Sequence, residues 1–239
     1  MDPGLSARRA LSIACTLAAA AAIVPARAAD EAEVAQVIVE RTAALRASQG
    51  LGALRPSRAL EKAALEFARY MAQSGQVSHS ADGRQPGDRA AAAGYASCIV
   101  AENLASEYRS DGYRAAPPLA EAFVTSWQDS PGHRRNLVDP DVTEIGVGVA
   151  RDGSDRYYAV QLFGRPRDAA LRFSVQNRTS RPVHYRAGEQ AFSLEPGATR
   201  THMVCRPAFL DLDALSPDPV PARPGTRYVV RDGGVTQER

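Results

Sequence analysis

The sequence predicts an α/β domain, a largely antiparallel sheet covered by helices on both sides, followed by a small all-β domain. Three observations carry this reading. Apolar residues recur at helical spacing before Gly75 and again before Trp127, strict alternation takes over from Thr143 to Phe163, and short strands separated by turn residues fill the chain beyond Pro166. Helices that precede and interleave with strands place the sheet between helical layers. A chain of 239 residues with 44% hydrophobic content can bury such a core without special staples. The expected boundaries are an export signal at 1–29, the α/β domain at 30–167 and the β-rich domain at 168–239.

The N-terminus reads as a secretory signal peptide. Arg8 and Arg9 precede the alanine-rich stretch Leu11 to Val24, too short to span a bilayer core, and Pro25-Ala26-Arg27-Ala28-Ala29 supplies small residues around a cleavage point. The protein is therefore expected to be exported, periplasmic or secreted, with no transmembrane segment in the mature chain. Cys15 does not make a lipoprotein box, because Ser12 stands where leucine is usual and little apolar length precedes the cysteine. The formal net charge of +2 includes Arg8, Arg9 and Arg27. Without that segment it falls near zero, which leaves no basic field for nucleic acid. Cleavage near Ala28 or Ala29 leaves Cys98 and Cys205 in a compartment that permits disulfides. A bridge between them would tie the β-rich domain to the first domain; the alternative is two separate buried thiols.

In chain order, Val34, Val37, Ile38 and Leu45 predict an amphipathic helix from Asp30 to about Gln49, stopped by Gly50. Ser57 can cap a second helix with Leu60, Ala64, Phe67, Ala68 and Met71 on one face, ending at Ser74-Gly75. Turn signals at Asp82-Gly83 and Pro86-Gly87 precede a short helical piece around Asp88 to Ala93. Ile99 to Leu104 reads as a short buried strand whose polar residues Glu102 and Asn103 need partners. A loop containing Pro117-Pro118 leads to a helix through Ala120, Phe123, Val124 and Trp127, which Pro131-Gly132 is expected to break. From Thr143 to Ala150, Ile145, Val147 and Val149 alternate with Gly146, Gly148 and Ala150, and that small face invites close approach by another layer. Asp152-Gly153 turns the chain into a hairpin with Tyr157 to Phe163. Short strands follow at Leu171–Gln176, Val183–Arg186, Ala191–Leu194, Thr201–Cys205 and Tyr228–Arg231, and Pro217, Pro219, Pro221 and Pro224 stiffen the connection before the last.

Four histidines occur, two of them in unusual company. Alone, a histidine beside a turn such as His79 or His133 is more often an exposed or hydrogen-bonded structural residue than a ligand. The ordered run is more specific: His79, Asp82-Gly83-Arg84, Arg89, Gly94-Tyr95, Ala101-Glu102-Asn103-Leu104-Ala105, Trp127 to Leu137, then Thr143-Glu144-Ile145-Gly146-Val147-Gly148. Over roughly Val34 to Gly164 this resembles the bacterial branch of the CAP superfamily, the cysteine-rich secretory, antigen 5 and pathogenesis-related 1 proteins. The resemblance implies an α-β-α sandwich with a solvent-open cleft, in which His79, Glu102 and His133 match the family's histidines and glutamate. Many eukaryotic members place a second glutamate shortly after the tryptophan, but here Gln128, Asp129 and Ser130 follow Trp127. Asp129 is the only substitute in that stretch, with capping of the turn before Pro131 as its other role.

Two neutral imidazoles, His79 and His133, can ligate a divalent ion such as zinc, and a carboxylate could complete three protein ligands with an open water position. The same carboxylate can instead simply orient a histidine. No tight zinc motif is present. The resemblance implies a non-catalytic extracellular binding module for a lipid, envelope or protein ligand. The rival is a hydrolase of peptide or envelope material using His79, His133 and Glu102 with Ser78, Ser80 or Ser130; no Gly-x-Ser-x-Gly elbow supports a serine nucleophile. A third reading gives docking to the β-rich domain, by strand addition or cell-surface contact.

Overall fold

The structure, a computed structural model, describes Met1, residues 28–212 and residues 218–239. The signal-peptide reading and Cys15 fall almost entirely outside these residues.

Helix α1 (Glu31–Ser48) starts where Asp30 Oδ1 accepts from the amides of Ala32 and Glu33, at 3.0 and 3.1 Å. Its buried stripe runs Val34, Ile38, Thr42, Arg46, so the helical period is kept while its last two members are polar. After the two-residue strand β1 (Arg55–Pro56), helix α2 (Arg58–Ser74) buries the five residues expected of it together with Ala63. Helix α3 (Pro86–Ala92) leads into strand β2 (Ser97–Glu107), which is longer than the expected Ile99 to Leu104. Helix α4 (Ala116–Asp129) takes up Pro117 and Pro118 in its first turn, where a missing N–H costs nothing, rather than leaving them in a loop. As expected, the helix breaks at Pro131-Gly132, α4 ending at Asp129. Pro131 opens a new helix, α5 (Pro131–Leu137), which carries His133.

Strands β3 (Glu144–Arg151) and β4 (Tyr157–Pro166) form the expected hairpin, with Ile145 opposite Phe163 and Val149 opposite Ala159. The sheet order is β1-β3-β4-β2, antiparallel except for the short β1–β3 pairing. Helices α1 and α4 pack with Ile145, Val147, Val149 and Phe163 on one face. Helices α2 and α3 pack with Leu104, Val160 and Leu162 on the other. The small face of β3 explains how α2 lies so close. A Cβ on Gly148 would stand 2.2 Å from the Leu65 amide nitrogen, and one on Gly146 2.2 Å from that of Glu61. No helix among the described residues is long and apolar enough to cross a membrane.

A single turn of 3-10 helix (Arg167–Ala169) joins β4 to the all-β region. There, strands β5 (Leu171–Asn177), β8 (Thr199–Val204), β11 (Arg227–Arg231) and β12 (Gly234–Glu238) form one sheet, ordered β12-β11-β5-β8. Strands β6 (Val183–Ala187), β7 (Gln190–Leu194), β9 (Phe209–Asp211) and β10 (Val220–Pro221) form the other, ordered β10-β9-β6-β7. Phe173, Val175, Tyr228 and Val230 from the first sheet share one core with Val183, Tyr185, Leu194 and Leu210 from the second. The sequence reading omitted β9, β10 and β12.

Cys98 and Cys205 are disulfide-bonded, with Cα atoms 5.4 Å apart across 107 positions of sequence. Next to the bridge, Arg206 holds Asp139 at 2.7 Å and Asp141 at 2.8 Å. Burial works against the Asp139 carboxylate, but hydrogen bonds from Arg206 and from the Asp141 amide outweigh it and hold its pKa below the usual range. By chain entropy alone, cross-linking a loop of about a hundred residues stabilises by about 4–5 kcal/mol, less any native strain. The Cys98→Ser/Cys205→Ser double variant should therefore unfold at lower urea concentration, by about 2–4 kcal/mol. Thiol titration of the oxidised wild-type mature chain, once unfolded, should find no free thiol.

Candidate functional site

The candidate site is built on β2. Glu102 lies opposite Leu162 of β4 and Asn103 opposite Gln161, so the two consecutive residues project to opposite faces of the sheet.

On the α2/α3 face, Glu102 meets Arg89 of α3. Arg89 Nη2 donates to Glu102 Oε2 at 2.7 Å, and the two side chains are only 3% and 1% exposed. The same guanidinium donates to Asp82 Oδ1 (2.8 Å), the Arg84 carbonyl (2.9 Å) and the His79 carbonyl (3.0 Å), and it stacks 3.6 Å from the centre of the Phe67 ring. One buried cation thus gathers the segment from His79 to Arg84 around itself. His79 Nδ1 then lies 2.7 Å from Glu102 Oε1. A carboxylate only accepts, so Nδ1 carries a proton, and in the neutral form of the ring the lone pair is on Nε2. The His79 side chain is 54% exposed.

On the other face, Asn103 Nδ2 donates to Gln161 Oε1 (3.1 Å) and to the His133 carbonyl (3.3 Å). Asn136 of α5 answers, its Nδ2 donating to Asn103 Oδ1 (2.9 Å) and to the Glu102 carbonyl (3.1 Å). Gln161 Nε2 donates to Thr42 Oγ1 at 2.8 Å, which extends the buried network to α1. The far end of α5 is held by Arg46, which donates to the carbonyls of Leu137 (3.0 Å) and Asp139 (2.9 Å). Trp127 fixes α4 to β2 through a 3.1 Å bond from Nε1 to the Leu104 carbonyl. Burial pushes the His133 pKa below its ordinary value, and the nearby charge of His79 pushes it the same way.

Of the sequence-predicted residues, His79 and Glu102 touch directly. His133 is tied to β2 by its backbone, and its imidazole is within electrostatic reach of His79. Asp129 ends α4 exposed and has no hydrogen bond to any of the three among the described residues. No three-ligand arrangement for zinc is seen among the described residues. Both Glu102 oxygens are engaged, by Arg89 and His79, and no group of three His, Cys, Asp or Glu side chains among the described residues is placed to hold a metal ion. The hydroxyls of Ser78, Ser80 and Ser130 make no hydrogen bond to either imidazole among the described residues. Sequence reasoning missed the roles of Arg89, Asn136, Arg46 and Gln161. The demand of Glu102 and Asn103 for partners in a buried strand was the available signal.

The coupling between the rings can be tested. In an NMR titration, His133 should titrate below ordinary histidine, and His79→Gln should raise its pKa by removing the positive charge of the protonated His79 ring. An unmoved His133 titration would place the rings out of reach of each other.

Known proteins share this fold. Residues 39–163, more than half of the chain, match the cysteine-rich secretory protein (CAP) family. The uncharacterized protein YkwD of Bacillus subtilis is 31% identical over 118 residues, 49% of this chain but only 42% of its own length. An outer surface protein of Borrelia burgdorferi superposes with a TM-score of 0.51 at 24% identity, over 59% of this chain and 98% of its own. An extracellular SCP-domain protein of Bacillus anthracis aligns over 56% of this chain and 41% of its own, with 26% identity and a TM-score of 0.48. The helix-covered sheet with Glu102 and Asn103 on its edge strand is thus a family fold, and the chain belongs to the cysteine-rich secretory protein family.

Proposed function

We propose that the chain is an exported, non-catalytic binding module whose ligand contacts the surface around His79 and His133. The observation that carries this reading is the use made of Glu102. A carboxylate buried against Arg89 and bonded to His79 holds an imidazole in place and is poorly suited to take a proton from a substrate or water. Its role is to present His79, half exposed, with Nε2 outward. A lipid, envelope or protein ligand then meets two imidazoles on either side of one strand. One feature favours the hydrolytic alternative: a histidine oriented by a carboxylate is also how a general base is held. That reading still needs a nucleophile, and none of the three serines is engaged with a histidine.

Material purified from its native compartment should release a bound lipid or peptide on denaturing extraction, detected by mass spectrometry, and a His79→Ala/His133→Ala variant should release markedly less. Turnover of envelope peptides or glycans that is lost in His79→Ala would replace the binding reading with the hydrolytic one.

Export makes a second prediction. Ala29 is buried, its amide donates to the Tyr113 carbonyl at 2.9 Å and its carbonyl accepts from the Tyr157 hydroxyl at 3.3 Å. Cleavage after Ala28, where Ala26-Arg27-Ala28 offers small residues, leaves a mature chain whose first residue already belongs to the fold. The intact mass of the exported protein should begin at Ala29. A lipid adduct on Cys15 would contradict this processing.

A further inference from the structure

The opposite edge of the sheet carries a second feature, independent of His79 and His133. Strand β1 covers β3 only at Glu144 and Ile145. The amide of Ser57 donates to the Ile145 carbonyl at 2.9 Å, which sets the phase of the strand. Odd-numbered residues of β3 turn their main-chain groups outward, away from β4. The N–H and C=O groups of Val147 and Val149 therefore face the open edge, and no strand among the described residues pairs with them there.

This edge lies at the floor of a groove that opens to solvent. The groove, of about 360 Å³, is walled by Ala32, Ala35 and Val39 of α1 and Leu65 of α2, and Val147 and Val149 are only 4% and 2% exposed. Main-chain polar groups buried away from water are nearly always paired, because leaving one unpaired costs about as much as a lost hydrogen bond. Alternating donors and acceptors along a strand edge match one kind of molecule, another extended polypeptide. Glu31 and Glu61 stand among the lining residues, which include no lysine or arginine, so the complementary charge is basic.

We propose that this slot is a strand-addition site for an extended peptide segment of a partner protein. The segment carries alternating apolar residues and a lysine or arginine. Its backbone pairs with Val147 and Val149, its apolar side chains fill the space between α1 and α2, and its cation meets Glu31 and Glu61. From Ile145 to Val149 the edge spans about 13 Å, room for about four residues of extended chain.

The test uses the full mature chain and a panel of acetylated, amidated, fluorescently labelled hexapeptides in which valine alternates with threonine and one lysine occupies each position in turn. Fluorescence anisotropy should find saturable binding for at least one register. N-methylation of the two amides that pair with β3 should weaken that peptide about tenfold or more, the effect of losing one to two hydrogen bonds. Ala32→Trp should block the slot. Glu61→Lys, an exposed change, should weaken the lysine peptides several-fold more than lysine-free controls. His79→Gln should leave all of this unchanged, which separates the outcome from that at the histidine site. Failure of every peptide to bind overturns the proposal, as does binding indifferent to N-methylation. If Ala32→Trp does not fold, the N-methyl peptides and Glu61→Lys still decide.

Discussion

The ion pair between Arg89 and Glu102 is the interaction on which the α2/α3 side of the site depends. Both charges are almost wholly removed from water, and such a pair depends on further hydrogen bonds to its remaining donors and acceptors. Arg89 spends its other Nη hydrogens on the carbonyls of His79 and Arg84 and on Asp82, and its flat face on Phe67, so that only its Nε–H is left without a partner among the described residues. Satisfying the guanidinium is therefore the same act as shaping the segment after α2. Losing one partner of a buried pair costs about 3–5 kcal/mol, because the other is left charged and unpaired. A segment with no helix or strand of its own is thus held as firmly as the core.

Strand β2 transmits that order across the sheet. Because successive side chains of a strand alternate, Glu102 and Asn103 hold opposite layers with no residue between them. Asn103 is satisfied by Gln161, by the His133 carbonyl and by Asn136, and Asn136 returns a bond to the Glu102 carbonyl. Four amide and carboxylate groups thereby fix the two histidine-bearing segments relative to one strand. Partly satisfied networks of this kind are costly, whereas fully satisfied ones specify a unique arrangement.

How much of this was legible in the sequence depends on whether the signal was periodic. The helical stripe of α2, the β3–β4 alternation and the small face at Gly146 and Gly148 are local patterns, and each appears in the fold as expected. Helix α5 was hidden because proline reads as a break, although at the first helical position it is favoured. Strands β9 and β10 were hidden because two or three residues carry no measurable period. At the site, Glu102 and Asn103 stood out as polar residues in a buried strand, but their partners Arg89 and Asn136 lie 13 and 33 positions away. Nothing local distinguishes those partners from surface residues. Thr42 and Arg46 extend an apolar stripe with polar atoms whose acceptors and donors come from distant elements, so hydrophobic spacing alone could not flag them.

The connection between the two parts of the molecule also has a mechanical meaning. The β region is covalently attached twice, by the chain running from β4 through the single 3-10 turn and by the bond from Cys205 to Cys98 at the start of β2. Ser97 and Pro166 are paired neighbours, so both attachments leave the sheet at one corner. A pull on the β region therefore enters two adjacent antiparallel strands together and in parallel. Because both strands are drawn in the same direction, their shared ladder is not sheared, and the load passes along the strand direction to the ladder between β4 and β3. The covalent ring makes the β region a handle through which tension reaches the strand carrying Glu102.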